Sequence, residues 1–211
     1  MNYSVLCCIS CNKLIRDGIY NSQFYPNLFT MLAAFFMLAL IIGTLTVIAT
    51  RQRGLNTKPS PIPLHNAAMV LGIGLGGFID GIVLHQVFQW HEMLSSKIAA
   101  TDYVGKSVNM FWDGIFHMFC LIVVFIGIVL LWKAVTDRKA LLSGRLVFAG
   151  LISGWGLFNL VEGVIDHHLL KLHNVIEYAS NHDVANYFFL GFSILLLIVG
   201  EGIRISHRSD S

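Results

Sequence analysis

The sequence predicts an all-α, polytopic membrane helix bundle: five transmembrane helices, with a parallel internal repeat between the second and the fourth. Three observations carry this expectation. First, 55% of the 211 residues are apolar and 12% are charged, with a mean hydropathy of +0.69. Soluble domains carry about 25% charged residues, so a soluble globule of this composition would lack half of its solvating surface. Second, apolar stretches near the ~20 residues that cross a bilayer recur at about 27–50, 66–90, 111–132, 146–170 and 185–205. Third, two of those stretches match one another without a gap. The net charge of +2 is too small to suggest nucleic acid; the partner read from composition is the lipid bilayer.

Residues 1–26 form an N-terminal extension expected to stand outside the bundle, 27–206 the five-helix domain and 207–211 a tail. Cysteines and polar residues interrupt the extension, so it has no signal-peptide plan and the first span is read as an anchor. Its Cys7, Cys8 and Cys11 give one Cys-x-x-Cys with no downstream partner pair, weak ground for a zinc or redox site. Loops between the spans are short, which leaves no room for a soluble domain. Lys and Arg set the orientation. Nine lie in the 51–65 and 133–145 loops and the tail, and five on the opposite side (Lys13, Arg16, Lys97, Lys106 and Lys171). The N-terminus is therefore expected outside and the C-terminus in the cytoplasm.

A shift of 82 residues lays Asp80-Gly81-Ile82-Val83-Leu84-His85 over Glu162-Gly163-Val164-Ile165-Asp166-His167, and His91 over His173. Upstream, Gly72 and Gly74 fall on Gly154 and Gly156. Both helices run in the same direction, which implies a pseudo-twofold along the membrane normal. The third and fifth spans show no comparable match. Gly72, Gly74, Gly76 and Gly77 lie within a span and read as close helix packing, not as a nucleotide loop.

The chain carries nine His, an excess for so apolar a sequence. At 1.5 Å rise per residue, His85 lies roughly 7–8 Å inside Trp90; His167 lies level with it by the repeat. His117, five residues inside Trp112 on an antiparallel helix, reaches the same layer. Asp80 and Glu162 are one further step in, while Asp113, His91 and His173 come at the surface end. Asn159, Glu162, Asp166 and His173 form one polar stripe. On an ideal α-helix, Asp80 and His85 point about 140° apart, so they share a target only if the helix bends; Gly81 and Gly163 allow that. Buried charges in a membrane are costly and mark function.

Three levelled imidazoles suit Zn, Cu or Fe, with His85, His117 and His167 as ligands. Asp80 and Glu162 then act as outer acids, extra ligands or catalytic bases, and Asp113, Asp166, His91 and His173 are further candidates. The same acids and His would serve an ion- or proton-coupled transporter. A b-type haem with His85 and His167 as axial ligands is a third reading. His168 reads as a bystander, His65, His182 and His207 as solvated residues of loops or tail, Cys120 as a packing residue, and Glu201 as an interfacial residue close to Arg204. No Gly-x-Ser-x-Gly, P-loop or His-Glu-x-x-His occurs.

From about Leu64 to Ile203 the chain resembles a family of bacterial predicted membrane proteins of unknown function. The motifs that carry the resemblance are Gly77-Phe78-Ile79-Asp80-Gly81 through His85-Gln86 to Gln89-Trp90-His91, Asp113-Gly114-Ile115-Phe116-His117, and Glu162-Gly163 through His167-His168 to His173. The resemblance implies the bacterial cytoplasmic (inner) membrane and an association with respiratory oxidase assembly components, without an activity or an oligomeric state. It also implies a second His after each terminal one; here those positions are Glu92 and Asn174, which weakens His91 and His173 as a paired site.

Overall fold

The computed structural model describes residues 12–21, 25–52, 60–136 and 141–209. The described residues form helices without a strand. In order they are α1 (Lys13–Ile19), α2 (Tyr25–Gln52), α3 (Ile62–Ile79), the π-helical segment π1 (Asp80–Val87), α4 (Tyr103–Thr136), α5 (Gly144–Glu162), the π-helical segment π2 (Gly163–Leu169) and α6 (His182–Ser209). Among the described residues, four stretches are long and apolar enough to cross a membrane: Ile62–Val87, Tyr103–Thr136, Gly144–Leu169 and His182–Ser206. The fifth expected span is α2, whose described apolar part is Phe35–Ile48. An all-α polytopic membrane bundle is what the composition requires: in hydrocarbon every backbone group must be satisfied within its own helix.

Cys7, Cys8 and Cys11 lie outside the described residues. α1 does not stand apart as the extension was expected to: Ile15 and Ile19 bury against Val108 at the start of α4. Two apolar side chains one helical turn apart are enough to dock that short helix.

At the centre, α3 and α5 cross on glycines. A Cβ on Gly72 would stand 2.3 Å from the Leu151 carbonyl oxygen, and one on Gly154 2.1 Å from that of Met69. Each contact is the other shifted by 82 residues, so the repeat is a true pseudo-twofold in space. The absence of Cβ atoms is what brings the backbones together where no hydrophobic force acts between helices.

The repeat extends further than expected. The sequence shows no match between α4 and α6, yet the structure pairs them at a shift of 73 residues. Gly74 packs on Cys120 and Val124 of α4, and Gly156 on Ser193 and Leu197 of α6. Gly127 of α4 meets Leu71, and Gly200 of α6 meets Ser153. The unit is therefore a helix, a π-helical segment, a turn and a returning helix, present twice. The returning helices keep their contacts while most of their residue types have diverged, which hides them from alignment.

Candidate metal centre

Both repeat units change winding at their acid. α3 gives way to π1 at Asp80, and α5 to π2 at Gly163, directly after Glu162. A π-turn hydrogen-bonds at i+5, so residues five apart come onto one face. Phe88 N–H donates to Val83 O at 2.9 Å, and Leu170 N–H to Ile165 O at 2.8 Å. The angular obstacle between each acid and its His is thereby removed. His85 Nε2 lies 3.0 Å from Asp80 Oδ2, and His167 Nε2 lies 3.1 Å from Glu162 Oε1. Gly81 and Gly163 serve close approach: a Cβ at Gly81 would meet the His117 ring, and one at Gly163 would meet Leu190 and Phe189.

Each π segment then ends in a left-handed residue, Gln89 with φ 51° and Lys171 with φ 50°. Such a residue terminates a helix and turns the chain, at about 1–2 kcal/mol for a side chain other than glycine. The chain folds back, and this corrects the depth expected for two residues. His91 and His173 are not at the surface end: they are 2% and 1% exposed and stand inside the cluster. Their rings stack with centroids 4.6 Å apart, His91 lies 4.3 Å from His85, and His173 lies 4.8 Å from His167.

The fold-back segments clasp one another. His91 Nδ1 donates to Val175 O at 2.8 Å, and His173 Nδ1 to Met93 O at 3.1 Å, again an exchange at a shift of 82 residues. The returning helices hold the same two residues by their N–H groups. Met93 N–H donates to Asp113 Oδ1 at 2.9 Å, and Val175 N–H to Asn186 Oδ1 at 3.0 Å. Asp113 also accepts from His85 Nδ1 at 2.9 Å. Asn186 and its role were missed from the sequence; the signal available was its register with Asp113 at a shift of 73 residues.

Because a carbonyl oxygen can only accept, Nδ1 of His91 and of His173 must carry the proton. In the neutral ring Nε2 then presents a lone pair. Nε2 of His85, His91 and His167 makes no hydrogen bond, and that of His173 lies 3.2 Å from Glu162 Oε1. Among the described residues, two groups have potential ligand atoms within 4.8 Å of one another: Asp80, His85 and His91, and His91, Glu162, His167 and His173. A tetrahedral ion with bonds of ~2.0–2.1 Å sets its ligands roughly 3.3 Å apart; His85, His167 and His173 stand 3.0, 3.1 and 3.2 Å from their acids, and His91 stands 3.9 Å from Asp80.

The structure does not bring His117 to this cluster. It stacks on Phe78 with centroids 5.8 Å apart and lies against Gly81, and its repeat counterpart is Leu190. His117 belongs to neither group of potential ligands. Asp166 is 1% exposed with Oδ1 unbonded, next to the cluster and in neither ligand group. The rings of His91 and His173 both lie within 6.0 Å of those of His85 and His167. Among the other His, His65 is not solvated but buried on α3, at 4% exposed, His168 bonds its own helix at Gly163 O, and exposed His182 bonds Glu177 O. Glu201 pairs with Arg204. Glu92 pairs with Lys106, and Asn174 accepts from Asn186, so the two positions that depart from the expected His serve the fold-back loops.

No curated protein and no solved structure matches the chain. A family model does match, over residues 67–207, which takes in both repeat units, both fold-back turns and every residue of the cluster. By that match the chain belongs to the family described as Predicted membrane protein (DUF2243).

Proposed function

We propose that the chain is an integral membrane metalloprotein that holds divalent transition-metal ions in a pseudo-symmetric His and carboxylate cluster. The observation that carries this is the anchoring of the rings. Three of the four imidazoles are held at Nδ1 by a carbonyl or carboxylate oxygen, with Nε2 directed at a buried acid. Metal-ligating His characteristically donates its other N–H in this way. A lone pair facing a carboxylate oxygen 3 Å off is repulsive unless something positive lies between them, and a cation relieves all such contacts together.

Asp80, His85 and His91 would hold one ion, and Glu162, His167 and His173 a second, with His91 in reach of both. Nitrogen-rich donors with carboxylates suit Zn, Fe or Cu. Paired ions about 3.5–4 Å apart would polarise a bound oxygen or activate water. His117, expected from its depth to be a ligand, is left out of the set. The reading covers a metal-dependent enzyme and a metal-handling factor for a respiratory complex, in the bacterial cytoplasmic membrane. By the count of Lys and Arg, the reading has the site in the outer half of the bilayer, with the N-terminus outside and the C-terminus within.

Elemental analysis and an absorption spectrum of detergent-purified protein test the reading. One or two equivalents of a single transition metal, without a Soret band, is the expected result. Metal-free protein whose His85→Ala and His167→Ala variants keep wild-type stability would remove it and leave an ion- or proton-loading cluster.

A further inference from the structure

Beside the cluster lies a cavity of about 510 Å³, within the range of small-molecule sites. Its walls include Trp90, Trp155, Phe188 and Phe192, and Asp80 and Asn159 stand in its lining. Asp80 and Asn159 are 4% and 3% exposed, and Asp80 Oδ1 and Asn159 Oδ1 make no hydrogen bond. The lining of an apolar chamber thus includes two residues that each bury an acceptor oxygen without a donor, Asp80 Oδ1 lying 3.9 Å from His91 Nε2 on its cluster side.

The pseudo-twofold supplies a control within the same molecule. On the counterpart face, Phe35 of α2 stacks on Phe158 with centroids 5.3 Å apart and packs against Phe116 and Phe119. There Trp112 stands where the cavity has Ala185, and Gly77 where it has Asn159. One face is plugged by aromatic rings, with Glu162 and Asp166 as the counterparts of Asp80 and Leu84. The other is vacated by a small residue and given an amide. If the cavity were only a packing fault in lipid, an unpaired Asn would make it worse, because an unbonded buried amide oxygen costs about 1–3 kcal/mol.

We propose that this cavity binds a neutral, lipid-soluble alcohol or phenol, whose hydroxyl donates to Asn159 and Asp80 while its apolar body lies among the aromatic walls. The donor follows from the two unpaired acceptors. Neutrality follows from the carboxylate of Asp80 and the apolar lining, which together repel an anion and leave a cation poorly solvated. The binding claim stands by itself; the idea that such a molecule is presented to metal rests on the proposed function, since Asp80 belongs to both sites.

The test uses full-length protein in lipid nanodiscs, with Trp112→Phe and Trp132→Phe leaving Trp90 and Trp155 as reporters near the cavity. The probe is a brominated 4-alkylphenol, which quenches tryptophan on contact; its methyl ether, which lacks the donor, is the control. Saturable quenching by the phenol is expected, with the ether needing about ten-fold more, the net worth of one hydrogen bond. Asn159→Leu should shrink that preference, and Ala185→Phe, narrowing the cavity as Trp112 narrows its counterpart, should weaken both probes by roughly ten-fold. Equal affinity for phenol and ether, quenching that never saturates, or indifference to both substitutions would overturn the proposal. Bound metal is measured on the same samples. Metal-free protein that still prefers the phenol keeps this inference and loses the metal reading, and metal-loaded protein without the preference does the reverse.

Discussion

His91 and His173 hold each other's fold-back segment: each Nδ1 donates to the carbonyl two residues beyond the other histidine, Val175 O at 2.8 Å and Met93 O at 3.1 Å, and the two rings stack between them. The clasp places two imidazoles from distant parts of the chain in one buried layer and fixes their tautomers. It also makes the two halves of the site depend on one another.

His91 belongs to both ligand groups, so His91→Ala should lower bound metal more than the loss of any other single His. His117→Ala should leave metal content within error of wild type, because its ring packs on Phe78. Inductively coupled plasma analysis of both variants checks this. A large loss in His117→Ala would restore the three-His layer expected from depth alone.

Asp113 orients His85 and satisfies Met93 N–H. Asp113→Leu should weaken metal affinity by about 10–100-fold, the usual effect of removing such an outer partner, and cost roughly 1–3 kcal/mol through the unpaired N–H. Asn186→Leu should show the stability loss at Val175 N–H with a smaller effect on metal, because Asn186 touches no ligand ring among the hydrogen bonds found. Competition with a chelator and thermal unfolding in detergent separate the two effects.

Gly154→Ala drives a Cβ to 2.1 Å from the Met69 carbonyl, backbone that cannot step aside. It should destabilise the fold by about 1–3 kcal/mol. At Gly114 a Cβ meets nothing within 4 Å, and Gly114→Ala should gain about 0.5–1 kcal/mol of helix propensity. Thermal midpoints of opposite sign are the expected outcome. Equal effects would place the helix crossing elsewhere.

Glu177, in the loop beyond the spans, links the two turns. Burial raises its pKa, but the hydroxyls of Ser96 and Ser95 and the Asn174 N–H outweigh that and hold it below the ordinary value. A depressed carboxylate contributes stability above its unfolded pKa, near ~4.3, and loses it as pH falls through the lower folded value. Wild type should therefore lose more thermal stability between pH 7 and acid than Glu177→Gln. Parallel pH profiles for the two proteins would contradict this sign.

Several features were legible in the residues. The apolar runs gave the membrane bundle, because unpaired backbone cannot stand in lipid. The 82-residue match gave the pseudo-twofold and marked Asp80, His85, Glu162 and His167 as a set. Their angular conflict on an ideal helix was visible too, but not its resolution, since π winding is a choice made by tertiary packing around Gly81 and Gly163. The fold-back at Gln89 and Lys171 carried no glycine to announce it, so His91 and His173 looked peripheral.

The sequence by itself determined that this is a membrane helix bundle with an internal repeat and an excess of imidazole near carboxylate. Composition and spacing are enough for that, because burial in lipid and helical rise depend on residue type and count. Which histidines meet was decided only in three dimensions. Depth is one coordinate and can be counted along a helix, but rotation about the axis and the return of a loop are set by contacts with other helices. Those contacts turned His117 against Phe78 and carried His91 and His173 into the centre.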